Sequence, residues 1–183
     1  MTVKQIAIET AELLQADDIA ELLSATAGAD AADDADVKTL VRCVCLAAAE
    51  LNADFPVIST ITATAEGGFI PISAFGGTVS AVIKAERNGR PVRFTLDTRG
   101  VGVPADGEYT LTFTLAPSAS GLDDELSVGA GVDAHTAVYL AARNYCLVTG
   151  RADDAAVWDQ LYNADAATRR LRRRAVLPKR TFL

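Results

Sequence analysis

One histidine, one tryptophan and one methionine are spread through 183 residues, and aromatic side chains make up only 6% of the chain. That scarcity narrows the chemistry available. Any Ser-His or Cys-His mechanism would have to use His135, yet neither a GxSxG elbow nor a papain-like cysteine context is present. His135 stands one turn before Tyr139 on what reads as the apolar side of a helix, so a packing or capping role is expected of it. Three cysteines, Cys43, Cys45 and Cys146, are too few and odd in number for a secreted disulfide framework. Cys43 and Cys45 fall inside a helical pattern, where residues two apart point about 200° away from each other. They cannot grip one ion, and no zinc or EF-hand spacing occurs elsewhere, so no metal and no cofactor is expected. No apolar run approaches the roughly 20 residues that span a bilayer, and no basic segment precedes an apolar one at the start. The expectation is a soluble cytosolic protein with no membrane contact.

The last absence is of one sign of charge. Residues 169–183 contain no carboxylate but hold seven of the seventeen basic side chains, whereas residues 1–168 carry all 24 acids against ten bases. The body is thus near −14 and the tail near +7. A tail so charged is suited to touching something negative, either nucleic acid or the acidic face of another subunit.

Half of the residues are apolar, enough to bury a real core. Residues 3–25 place Val3, Ile6, Leu13, Leu14, Ile19, Leu22 and Leu23 among acids, as one or two short amphipathic helices do. An Ala/Asp/Gly loop follows, with Asp36 read as the cap of the next helix. Val37, Val41, Val44, Ala48, Leu51 and Phe55 then form one stripe, which Pro56 ends. Residues 57–116 change character: VISTITATA, FIPISAF, TVSAVIKAE, PVRFTLDT and EYTLTFTLA are β-branched and alternating, an antiparallel β pattern. Asn88-Gly89 within IKAERNGRPVRF predicts a type I′ hairpin turn. Helix returns with the stripe Val138, Tyr139, Ala142, Tyr145, Cys146 and Thr149, capped by Asp133 and stopped by Gly150. A second helix from about Asp153 carries the stripe Val157, Leu161, Ala164, Thr168, Leu171 and Ala175 toward Pro178, making an antiparallel helical hairpin. The expected fold class is α+β, with N- and C-terminal helices forming a bundle and an inserted antiparallel β lobe. Its parts are residues 1–56 (helical), 57–116 (β lobe), 117–175 (helical hairpin) and 176–183 (basic tail).

Two patterns imitate functional motifs. Residues 129–134, GAGVDA, match a loose GxGxxA fingerprint and open a helix. No buried strand precedes them, no βαβ unit follows, and Asp133 would set a negative charge where a pyrophosphate would lie. The acidic pairs Asp17-Asp18, Asp33-Asp34, Asp123-Asp124 and Asp153-Asp154 could suggest paired catalytic carboxylates. Most fall at helix starts, where carboxylates accept hydrogen bonds from orphan N–H groups, so capping is their expected task. No catalytic residue emerges, and the chain is not read as an enzyme.

The candidate site is therefore the tail: Arg169, Arg170, Arg172, Arg173, Arg174, Lys179, Arg180, Phe182 and Leu183. Cations favour a helix C-terminus, but only within the last turn, and seven are not needed for that. Three readings compete. Phosphate neutralisation would make a small nucleic-acid-binding module, although no aromatics interleave the arginines and the acidic body would repel DNA. A solvated face would need no partner. Docking on an acidic subunit surface would pair arginine forks with carboxylates and use Phe182 and Leu183 as apolar anchors. Residues 1–54, with eleven acids against three bases, offer such a surface.

The order of Ala-rich N-terminal helices, central β lobe and C-terminal hairpin resembles head-to-tail connector proteins of tailed bacteriophages and prophages, of the adaptor or tail-tubular type. The last 60 or so residues carry the resemblance: LDDEL leading into a helix, Tyr145-Cys146-Leu147 near its end, Gly150, then Trp158 and Tyr162 one turn apart in a helix finishing in basic residues. The resemblance implies a structural virion protein that forms a ring between portal and tail around the DNA channel. It also implies a host-cytoplasmic location before assembly, a C-terminal segment reaching a neighbour or the portal, and no catalytic residues.

Overall fold

The computed structural model describes residues 1–25, 34–117, 119, 121–129 and 132–174, with side chains up to residue 170. Over these residues the fold is α+β, with five α-helices and two antiparallel sheets. The chain divides into two compact units. One comprises residues 1–48, 119–126 and 131–183, the other residues 49–118 and 127–130.

The helical unit begins with α1 (Val3–Leu13), whose start is closed by a capping box. The Gln5 N–H donates to Thr2 Oγ1 at 3.2 Å, and the Thr2 N–H donates to Gln5 Oε1 at 2.9 Å. Two further orphan donors are met by the loop carrying LDDEL. The Val3 N–H donates to the Asp124 carbonyl (3.0 Å) and the Lys4 N–H to the Leu122 carbonyl (2.9 Å). The segment read as a turn into the next helix thus also seals the start of the first one. After α2 (Asp17–Ala25), α3 spans Ala35–Asp54 and stops before Pro56. Its cap is Asp34, not Asp36. The Asp34 carboxylate accepts from the Asp36 and Val37 N–H groups at 2.9 and 3.0 Å, while Asp36 lies inside the first turn. A side-chain acceptor reaches donors two or three residues ahead, so the cap must precede the first N–H groups left without a carbonyl.

Helix α4 (Ala134–Val148) is capped by Asp133, as expected. It is the central helix of its unit. Thr136, Ala137, Val138, Leu140, Ala141, Ala142, Asn144, Tyr145 and Cys146 are all buried, more than one stripe of the circumference. It ends at Gly150, where the Arg151 N–H donates to the Cys146 carbonyl at 2.7 Å. Helix α5 (Ala152–Arg174) returns against it.

The β unit holds β1 (Ile58–Ala65), β2 (Phe69–Pro71), β3 (Val79–Arg87), β4 (Arg90–Pro91), β5 (Thr95–Leu96), β6 (Gly100–Gly102) and β7 (Gly107–Leu115). Their orders are β1-β7-β3-β4 in one sheet and β2-β6-β5 in the other. The hairpin at Asn88-Gly89 is present. Both residues have positive φ, 52° and 73°, and Arg87 pairs with Arg90. Two expected strands are broken up. FIPISAF forms three strand residues and then a 3-10 turn over Ile72–Phe75, and PVRFTLDT yields only Pro91 of β4 and the two residues of β5. Strand β6 escapes a propensity reading because glycines build it. A Cβ on Gly100 would lie 2.1 Å from the Ile70 carbonyl oxygen, so only glycine lets β6 approach β2.

Strand β7 supplies the middle of the larger sheet. Tyr109, Leu111 and Phe113 point inward with Ala65, Ile70, Phe75, Ala85 and Val101, and Phe75 meets Phe113 edge to face at 4.9 Å. Asn52, at the end of α3, donates to the Leu115 carbonyl (3.0 Å) and accepts from the Val57 N–H (3.3 Å). That one buried amide joins the helix end to β1 and β7 within this unit.

Candidate assembly surface on the C-terminal helical hairpin

Arg169, the first of the predicted interface residues, is turned inward. Its guanidinium forks onto Asp165, with Nε–Oδ2 at 2.8 Å and Nη2–Oδ1 at 3.1 Å, and Nη2 also donates to Asp133, the cap of α4. Only 17% of the Arg169 side chain is exposed. Thr136 Oγ1 donates to the Asp165 carboxylate from the first turn of α4. Hydrogen bonding to Arg169 holds the Asp165 carboxyl below the ordinary range. At Asp133 burial pushes the other way, but the hydrogen bond and charge of Arg169 prevail and its carboxyl is also lowered. Arg169 is correspondingly raised, chiefly by its hydrogen bond to Asp165. This is an internal clasp between helices rather than a docking residue.

Further along the hairpin, Arg143 of α4 donates to Asp159 of α5 at 3.2 Å and to Asn144 Oδ1 at 2.8 Å. The contact between the two helices is thus made by Ala155, Trp158, Asp159, Tyr162, Asp165, Ala166 and Arg169. The face expected to be buried is rotated outward. Val157 is 54% exposed and Leu161 42%, and Ala164 and Thr168 are exposed with them. Alanines at 155 and 166 let the helices approach closely, and three cross-links place polar residues in the seam. A count of apolar residues therefore favours the wrong stripe. Leu171 and Ala175 of that stripe fall outside the described side chains.

Leu13, Arg151, Val157 and Trp158 line one shallow cleft beside this face. Leu147 and Val148, 55% and 64% exposed, extend apolar surface at the end of α4. His135 is exposed rather than on the buried side of α4. Its ring stacks on Tyr139 at 6.4 Å, and Tyr139 stacks on Trp158 at 6.3 Å, an aromatic column across the hairpin. Apolar and aromatic surface of this kind along one helix is how soluble proteins present a protein-binding face.

Of the other predicted residues, Arg170 is exposed at the end of the described side chains. Arg172, Arg173 and Arg174 continue α5, with side chains outside the described set, and Lys179, Arg180, Phe182 and Leu183 lie outside the described residues. Among the described residues, no three His, Cys, Asp or Glu side chains converge as a metal site, and no helix is long and apolar enough to cross a membrane. Cys43 is buried, which raises its thiol to about 11, with Cys146 adding to the shift. Such a thiol stays protonated at neutral pH and is a poor nucleophile or ligand. No protein-family model matches the sequence, and no curated protein matches it.

Proposed function

We propose that the protein is a structural assembly subunit that docks through α5 and the basic segment following it onto a neighbouring subunit. In the setting that the sequence resemblance suggests, it is a head-to-tail connector of a tailed phage or prophage, joining portal and tail proteins in a ring. The observation that carries this reading is the outward stripe of α5. Val157 and Leu161 are presented to solvent on the helix that runs into the arginines, so apolar and basic contacts are offered together. A heterologous contact repeated around a ring needs two different complementary surfaces, and an acidic N-terminal part and a basic C-terminal segment from residue 169 provide them.

A nucleic-acid module would use the arginines but would have no use for the apolar stripe. The test is molar mass by light scattering, with wild type compared to Leu161→Asp and to a chain ending at residue 170, which keeps the Arg169 clasp. Association weakened in both variants supports the docking reading. Wild-type association unchanged in both overturns it, and salt-sensitive binding to duplex DNA by wild type, lost on truncation, would favour the nucleic-acid module.

A further inference from the structure

Strand β1 occupies the edge of the four-stranded sheet, and among the described residues no strand pairs with that edge. β1 pairs in unbroken register with β7 from Ile58↔Thr114 to Ala65↔Gly107. The Leu115 N–H donates to the Val57 carbonyl, so the odd-numbered residues of β1 direct their backbone groups at β7. By the antiparallel alternation, the N–H and C=O groups of Ile58, Thr60, Thr62 and Thr64 face away from it. Among the described residues no other strand pairs with them. The first cross-strand contact past them is the bridge of Glu66 to Phe69 at the following turn.

Every other edge among the described strands is blunted by a device known to prevent strand addition. The opposite edge, β4, is two residues long and consists of Arg90 and Pro91. β2 has three residues and ends in Pro71, and β5 has two. β3 is bulged twice. β1 alone is eight residues long, with no charge, no proline and no bulge in ISTITATA.

We infer that β1 pairs antiparallel with β1 of a second copy of this chain, about a two-fold axis at Ile61, joining the two four-stranded sheets edge to edge. The strand is self-complementary in that register. Thr60 faces Thr62 of the partner copy, Ile58 faces its Thr64, and these even-numbered pairs exchange the eight backbone hydrogen bonds left open. No like charges meet, because the strand has none. Ile61 and Ala63 are only partly buried at the margin of the β core, and the axis sets Ile61 beside its own counterpart on that side. Pairing of β1 with the opposite edge of another copy would be blocked by Pro91, so this surface makes closed dimers rather than open strings. The contact is separate from α5, and its uncharged strand makes it insensitive to salt.

Sedimentation equilibrium of the full chain over a wide concentration range tests this at low and high salt. In the Leu161→Asp background, which removes the α5 contact, the chain is expected to pass from monomer to dimer with the same dissociation constant at both salts. Thr62→Pro removes an N–H that points away from β7, so the sheet should remain while the dissociation constant rises at least tenfold. Should that variant lose its circular dichroism, Thr60→Lys/Thr62→Lys replaces it, placing lysines opposite each other across the axis. Ile61→Cys should form a disulfide-linked dimer under mild oxidation. A Leu161→Asp chain that stays monomeric throughout, or one whose dimer survives the further change Thr62→Pro or the lysine pair in folded protein, overturns the inference. A wild type that associates beside a Leu161→Asp chain that is monomeric would overturn it while leaving the α5 reading standing.

Discussion

Arg169 of α5 reaches back across thirty-six residues to Asp133, the side chain that caps α4. One guanidinium therefore ties the last described turns of the chain to the first turn of the helix it packs on. The cap is held by its own partner helix. The same guanidinium forks onto Asp165, and Asp165 accepts from Thr136, so two turns of the hairpin share one network.

Replacing Arg169 by alanine should therefore cost more than an ordinary surface arginine does. The pair is partly exposed, so a loss of about 1–2 kcal/mol is expected, in the range of charge-assisted bonds discounted for solvent. Lysine should restore only part of it, because an ammonium cannot fork onto Asp165 and reach Asp133 together. Urea denaturation of the three proteins measures both differences.

Acid should loosen the hairpin through the same carboxylates. Asp165 and Asp133 have folded pKa values below the unfolded one, so their contribution is present above the unfolded pKa of about 4 and is lost as pH falls through the folded values. The stability of Asp165→Asn, measured by thermal melts from pH 7 to pH 2, should depend less on pH below 4 than that of wild type.

The phase of α5 separates two substitutions one residue apart. Tyr162→Ala removes a buried ring and should destabilise by about 3–5 kcal/mol. Leu161→Asp changes an exposed position and should leave the monomer's unfolding midpoint within about 0.5 kcal/mol. Comparable losses in both would contradict the observed packing.

At the start of α3, Asp34→Ala should cost about 1 kcal/mol by removing the acceptor for two N–H groups. Asp36→Ala should cost less, since only its favourable position in the first turn is lost. Chemical denaturation of both variants ranks them directly.

Burial decides the reactivity of the thiols. Cys43 and Cys146 are buried with raised pKa values, and Cys45 is half-buried with its own raised. Native protein at pH 7.5 should react with a thiol reagent much more slowly than the urea-unfolded chain, with Cys45 first. Because the folded Cys43 thiol ionises only near 11, its contribution to stability is intact below the unfolded pKa of about 8.5 and is lost as pH rises above it.

Local signals were enough for much of this. The α+β class, the Asn88-Gly89 hairpin, the Asp133 cap and the Gly150 stop each rest on a few neighbouring residues whose backbone demands show in their chemistry. Even the unguarded character of ISTITATA is written in its lack of charge and proline. The phase of α5 was not legible. Val157 and Leu161 are the aliphatic residues that hydropathy picks out, yet Ala155, Tyr162 and Ala166 face α4, because close packing at alanines and polar cross-links between the helices decide the phase. Nor could the charge run show that Arg169 is consumed inside the hairpin. Asp133 and Asp165 lie 36 and four residues away, and only the antiparallel return of α5 brings both within reach of one guanidinium. The sequence by itself determined what each segment could become. The tertiary structure alone decided which faces meet, since burial is shared between elements distant in the chain and belongs to neither one separately.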